Sequence, residues 1–220
     1  GILDTFGCDL FIAPDSTYIL DPFDSGLRDK LNEHNIDVAY VRQGDDSSNT
    51  QALDWDSTPG FFVQVLSAGV GRQFLPDPLP ATGLEGNNDS IVFKFTYGSV
   101  VFLTMADGEF FVERYIIDRY GREGVRADVL QVAHHGNDDG TSHFWLDNVD
   151  PRVGLISNAM IEAPLEKEVV LYGIREANAD YMVTDRIVPN TPRDVPPTYG
   201  NLIAVTDGET VEVITEEHEW

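Results

Sequence analysis

Strands alternating with helices predict an α/β (α+β) fold or a layered αββα arrangement. Short β-rich runs recur between segments of helical period, one hairpin is apolar enough to sit in a sheet core, and no internal repeat or low-complexity segment breaks the alternation. With 220 residues and 42% hydrophobic content, the chain can bury one sizeable core. A single domain over 1–215 is expected, with a frayed tail over 216–220.

Leu10–Ala13 is a short apolar run ended by Pro14-Asp15. Ser25 is placed to cap a short helix carrying Leu27 and Leu31 on one face. Ile36–Val41 reads as a strand, Gly44–Gln51 as a polar loop and Phe61–Leu66 as another strand. Pro, Gly and Asn between Gly69 and Asn88 mark a long irregular connection. Ile91–Tyr97 and Ser99–Thr104 form a hairpin about Gly98, apolar except for Lys94. Val112, Ile116 and Tyr120, four residues apart, predict a helix over Glu109–Tyr120, with acidic residues in its first turn, Arg119 near its end and Gly121 as terminator. Then follow a strand at Val125–Ala133, a helix at Thr141–Asn148, a strand at Val153–Ser157, a helix at Leu165–Ala177 and a strand at Tyr181–Thr184. After the Pro-rich loop Val188–Thr198, a hairpin pairs Asn201–Val205 with Val211–Ile214 around Asp207-Gly208.

Lys+Arg 14 against Asp+Glu 38 gives a formal charge of -24, which excludes a broad basic face for nucleic acid or anionic lipid. No apolar run approaches the roughly 18 residues of a membrane span. The lysines are Lys30, Lys94 and Lys167 alone, and aspartate outnumbers glutamate. That composition resembles proteins of salt-loving archaea, whose carboxylates keep the surface hydrated. At about 1 M salt the screening length falls to about 3 Å, so an anionic substrate is again admissible. Cys8 is the single cysteine, which excludes a disulfide framework and a Cys-rich zinc site. The start Gly1-Ile2-Leu3-Asp4 lacks an initiator Met and the pattern of a signal peptide, and reads as that of a fragment or processed product.

Three segments carry chemistry. In Val129–Gly136 a hydrophobic strand delivers His134 and His135 to its end, just before a glycine that permits close backbone approach. Adjacent strand residues point to opposite faces, so one of the two would serve a given site. The pair suits a Zn, Fe or Mn ligand and equally suits a buried, hydrogen-bonded couple. Phe102–Glu109 stops an apolar strand at Asp107, which can cap the following helix or reach a metal across the strand ends. Asn87-Asn88-Asp89-Ser90 offers amides and a hydroxyl before another strand, or is a plain loop.

In this order the segments resemble the metallo-β-lactamase superfamily, most closely its branch in DNA-uptake competence proteins. Asn87–Ser90, Asp107, Glu109, Glu113 and Ala127–Leu130 followed by His134-His135-Gly136 occupy that branch's motif positions, within a likeness running from Ile36 to Ile214. The resemblance implies a four-layer αββα sandwich of metallo-β-lactamase type, truncated at its N-terminus. It implies a hydrolytic site for two divalent ions, zinc or manganese, in the intact protein. Asp107 would bridge both ions, His135 would be a terminal ligand at the second, His134 would be the lesser candidate, and Asn87 and Asn88 would orient water or substrate. The implied activity is hydrolysis of phosphodiester bonds in nucleic acid or a related substrate, outside the cytoplasm.

Several positions depart from the pattern. Nothing between Gly1 and Gly60 matches the superfamily's first metal motif, and His34 stands alone on a polar segment. Met105-Ala106 replaces the usual Thr-Gly, Gln131 replaces a lysine, and Ala163-Pro164-Leu165 replaces His-Pro-His. His143 and His218 match no motif position and read as surface residues. Two expectations follow: an enzyme whose first motif lies upstream of Gly1, or a degenerate, non-catalytic module for binding or regulation.

Overall fold

A computed structural model describes residues 7–15, 22–70, 86–157, 164–184 and 201–216. Strand β1 (Leu10–Pro14), helix α1 (Pro22–Glu33) and β2 (Asp37–Val41) form a βαβ unit whose strands pair in parallel, Phe11 opposite Val38 and Ala13 opposite Tyr40. The helix begins at Pro22, so Ser25 falls inside it and not at its cap; proline's fixed φ suits a first helical turn. Phe11, Ala13, Val38 and Tyr40 line a cleft against Leu27 and Leu31 of α1. With the period of two, Ile12 and Val41 join the core cluster of Val63, Val65, Leu53 and Ala68 instead.

The main sheet has six strands in the order β3 (Phe61–Ser67), β4 (Val92–Tyr97), β5 (Val100–Thr104), β6 (Val129–Gln131), β7 (Val153–Ile156) and β8 (Asp180–Val183). The pairs β3/β4 and β4/β5 are antiparallel; β5/β6, β6/β7 and β7/β8 are parallel. Each parallel step needs a crossover, supplied by α2 (Phe110–Val125), α3 (His143–Val149) and α4 (Pro164–Glu176). Leu103, Met105, Leu130 and Ile156 meet Val112, Ile116, Trp145, Leu146 and Ile174 beneath these helices in the larger core. Phe93 and Phe95 of β4 turn to the opposite face, where they meet Trp55 with ring centroids 5.4 and 5.7 Å apart. The layers therefore run α1, β1–β2, six-stranded sheet, α2–α4, the αββα order expected.

Most element bounds shift by a residue or two, and two differ by more. Gly121, at φ 64 and ψ 177, breaks α2 where termination was expected, yet the chain resumes helical turns to Val125. The expected strand Val125–Ala133 shrinks to three residues. Arg126–Asp128 instead form an anchored entry: Asp128 N–H donates to Val101 O at 2.8 Å and Val101 N–H to the Asp128 carboxylate at 2.9 Å. Lys94, the polar exception in β4, donates Nζ to Gly124 O at 2.7 Å near the end of α2, and burial lowers its pKa. Among the described residues no helix is long and apolar enough to cross a membrane.

The hairpin β9 (Asn201–Thr206) and β10 (Val211–Glu216) pairs about Asp207-Gly208 and docks on the β4–β5 turn. Ser99 N–H donates to Gly208 O at 2.7 Å. A Cβ on Gly98 would stand 2.2 Å from that oxygen, so only glycine lets the two turns meet. The expected loop Val188–Thr198, Ala163, His218 and most of the Gly69–Asn88 connection lie outside the described residues.

Candidate metal centre

Parallel strands that end together bring their following loops together. Thr104 of β5 pairs with Gln131 of β6, and Gln131 with Leu155 of β7. Asp107, His134-His135 and Ser157 therefore emerge at one sheet end. Antiparallel β4 begins beside Thr104, with Phe93 opposite it, and brings Asn87–Ser90 to the same place.

The loop before Asp107 is held by Gln131. Its Oε1 accepts Met105 N–H and Ala106 N–H, both at 2.9 Å, and its Nε2 donates to Val132 O at 2.6 Å. A side chain marked as a departure from pattern thus clamps the turn that aims Asp107. The turn is strained, since Ala106 has φ 47. Asp107 does not cap α2. Glu109 takes the cap position, without a side-chain capping bond, and Asp107 N–H donates to Ser90 Oγ at 3.3 Å.

The histidines are not the last residues of a strand. They lie in a tight turn, Ala133–Gly136, with φ 44 at His134 and φ 56 at His135, so the opposite-face rule does not govern them. Their ring centroids are 6.3 Å apart. His135 Nδ1 bonds Ser157 O at 2.7 Å; a carbonyl only accepts, so Nδ1 carries a proton and, in the neutral ring, Nε2 holds the lone pair. That Nε2 lies 3.7 Å from Asp107 Oδ1. Both side chains are about half exposed, at 56% and 44%. An imidazole held through one nitrogen by a carbonyl, its other nitrogen facing a carboxylate, is the usual posture of a metal-binding histidine.

His134 goes elsewhere. Its backbone N–H donates to Ala106 O at 2.9 Å, tying the two strained loops. Its Nδ1 lies 2.9 and 3.0 Å from the Asp139 carboxylate oxygens. Asn87 and Asn88 donate their amides to Glu109, at 3.1 Å to Oε1 and 2.9 Å to Oε2, and Asn88 Oδ1 accepts Glu109 N–H at 3.3 Å. Asn88 is thus buried and turned to Glu109. Glu109 had been legible only through the resemblance, and Asp139, in the loop five residues after His134, gave no sequence signal.

A second buried carboxylate supports the loop from below. Glu113 accepts Ser142 N–H at 3.1 Å and the Ser142 hydroxyl, while Ser142 Oγ caps α3 by accepting Trp145 N–H at 3.1 Å. Burial pushes the Glu113 carboxyl up from 4.5 to about 7. Gly140 completes the support, because a Cβ there would meet the Ala133 methyl at 2.9 Å. The other described histidines stand apart: His143 is half exposed, 3.8 Å from Glu176, and His34, half-buried after α1, has an interaction of its own.

Asp107 and His135 fit one side of a divalent ion's coordination shell by donor type and separation. Catalytic zinc sites as a rule take three protein ligands, so the pair needs at least one more donor.

No protein-family model matches the chain. A stretch of 86 residues is 34% identical to the uncharacterized protein YcaI of Escherichia coli (strain K12), covering 39% of this chain and 11% of that protein. Among solved structures, a mutant of CmlA beta-hydroxylase aligns over 78% of this chain and 37% of its own, with a TM-score of 0.48 and 12% identity.

Proposed function

We propose that the chain is a metal-dependent hydrolase module of metallo-β-lactamase type, acting on phosphodiester bonds, with Asp107 and His135 as metal ligands. The observation that carries this is the 3.7 Å approach of Asp107 Oδ1 to His135 Nε2, with the far nitrogen already committed to Ser157 O. The order of motifs along the chain supports the same reading. So does the left-handed backbone at Ala106, His134 and His135, since improbable backbone is retained where function needs it.

A divalent ion bound there would supply Lewis acidity toward water and toward a phosphoryl oxygen. The protein's share is positional. Ser157 O fixes the His135 tautomer and ring, and Gln131 holds the turn that presents Asp107. The cation also brings the positive charge that a surface at -24 denies an anionic substrate.

The test is turnover of a chromogenic phosphodiester by the metal-stripped chain reconstituted with zinc or manganese, at low and molar salt. Turnover that depends on metal and falls at least about 100-fold in Asp107→Asn supports the reading. Absence of turnover with both metals refutes it and favours the second reading, a module that binds without catalysing. That reading draws on the donor count, two at this centre among the described residues where three are usual.

A further inference from the structure

We infer that Glu109, His134 and Asp139 form a separate site for a divalent transition metal of the zinc or manganese kind, next to the Asp107–His135 pair. Each residue offers one ligand atom, and these atoms lie within 4.8 Å of one another. Among the described residues no other set of three potential metal ligands converges in this way. Donors at 2.0–2.2 Å from an ion stand about 3.0–3.5 Å apart, so the cluster needs only a modest closing. Two carboxylates and one imidazole suit an ion of intermediate hardness.

A second, independent observation is a buried carboxyl group with no cationic side chain against it among the described residues. Glu109 is 4% exposed, and its bonding partners are the neutral amides of Asn87 and Asn88. No Lys or Arg pairs with Glu109 or Asp139 among the described residues. The start of α2 contributes a favourable field, but a carboxylate withdrawn from water without a cation is unusual. Asn87 and Asn88 each occupy one lone pair of a different Glu109 oxygen and leave others free, the arrangement of outer-shell groups that orient a ligating carboxylate. The three donors come from the start of α2, the turn after β6 and the loop that follows it. His134 is fixed by its backbone bond to Ala106. If the cluster is no metal site, His134 and Asp139 are a simple hydrogen-bonded pair beside a hydrogen-bonded Glu109, and the cluster takes up no metal.

This inference stands whether or not Asp107 and His135 support turnover. The metal-stripped chain is titrated with zinc and with manganese by calorimetry, and metal content is measured after gel filtration. The wild type is compared with Asp139→Asn, Glu109→Gln and Asp107→Asn. Asp139 is 37% exposed, so its substitution leaves the core untouched, and melting of the metal-free variants checks folding. The expected result is one binding event weakened at least 30-fold in Asp139→Asn while another persists, with the converse in Asp107→Asn. Titrations of Asp139→Asn that match the wild type, no uptake by the wild type, or a single event lost in both Asp139→Asn and Asp107→Asn would each overturn a separate site. Uptake that only Asp107→Asn removes would leave the hydrolase reading intact.

Discussion

The two ends of the parallel strands neutralise charge in different ways. At the N-terminal end, Asp150 is paired with Arg126 at 2.8 Å and Arg122 at 3.6 Å, beside a cavity of about 650 Å³ lined also by Arg152, Asp180 and Met182. At the C-terminal end, Asp107, Glu109 and Asp139 face imidazoles and amides, with no Lys or Arg partner among the described residues. That cavity lies away from the proposed metal centre. Its ion pairs are exposed, and left-handed backbone occurs at both ends, at Asp150 and Asn178 as at Ala106, His134 and His135, so what separates the two ends is the unmatched charge.

The sharpest break in this comparison is Glu113. Its folded pKa of about 7 lies above the ordinary 4.5, so its contribution to stability is full below 4.5 and is lost as pH rises through 7. Between pH 4.5 and 7.5 the loss is about 3 kcal/mol, taking 1.36 kcal/mol per pKa unit. Glu113→Gln removes that dependence. Urea unfolding of both proteins across this range should show the difference between them changing by that amount, and parallel profiles would contradict it.

Next is Gln131→Leu, which strands the Met105 and Ala106 N–H groups and should destabilise by about 2 kcal/mol. Metal affinity at Asp107 should fall with it. If stability drops while affinity holds, Gln131 supports the fold without aiming Asp107.

Ala106→Gly relieves a left-handed alanine and should raise stability by about 1 kcal/mol in thermal melts. A decrease would mean that the turn relaxes away from φ 47. The smallest effect belongs to the opposite end. Arg126→Ala breaks a half-exposed ion pair and should cost under about 1 kcal/mol, shrinking further in molar salt. A larger, salt-independent loss would erase the contrast between the two ends.

Much of the fold was legible because local rules act within a few residues. The apolar spacing of Val112 and Ile116 marks α2, Gly98 marks the β4–β5 turn, and Asp207-Gly208 marks the last hairpin. Less of the site was legible. His134 and His135 read as strand residues on opposite faces, whereas Gly136 and the bond from His134 N–H to Ala106 O fold them into a turn. Gln131 read as lost chemistry because its role is to bond the backbone of a neighbouring strand, which no spacing along one segment reveals.

By itself, the sequence determined the alternation of strands and helices, the acidic surface and the short list of residues able to bind a cation. Period, turn chemistry and net charge are written residue by residue. The family resemblance already joined His135 to Asp107; only the tertiary structure decided the other meetings, His134 with Asp139 and Glu109 beneath two asparagines. Those meetings depend on parallel strands ending in register and on loops bent through left-handed backbone, and both arise from pairing between segments far apart in the chain.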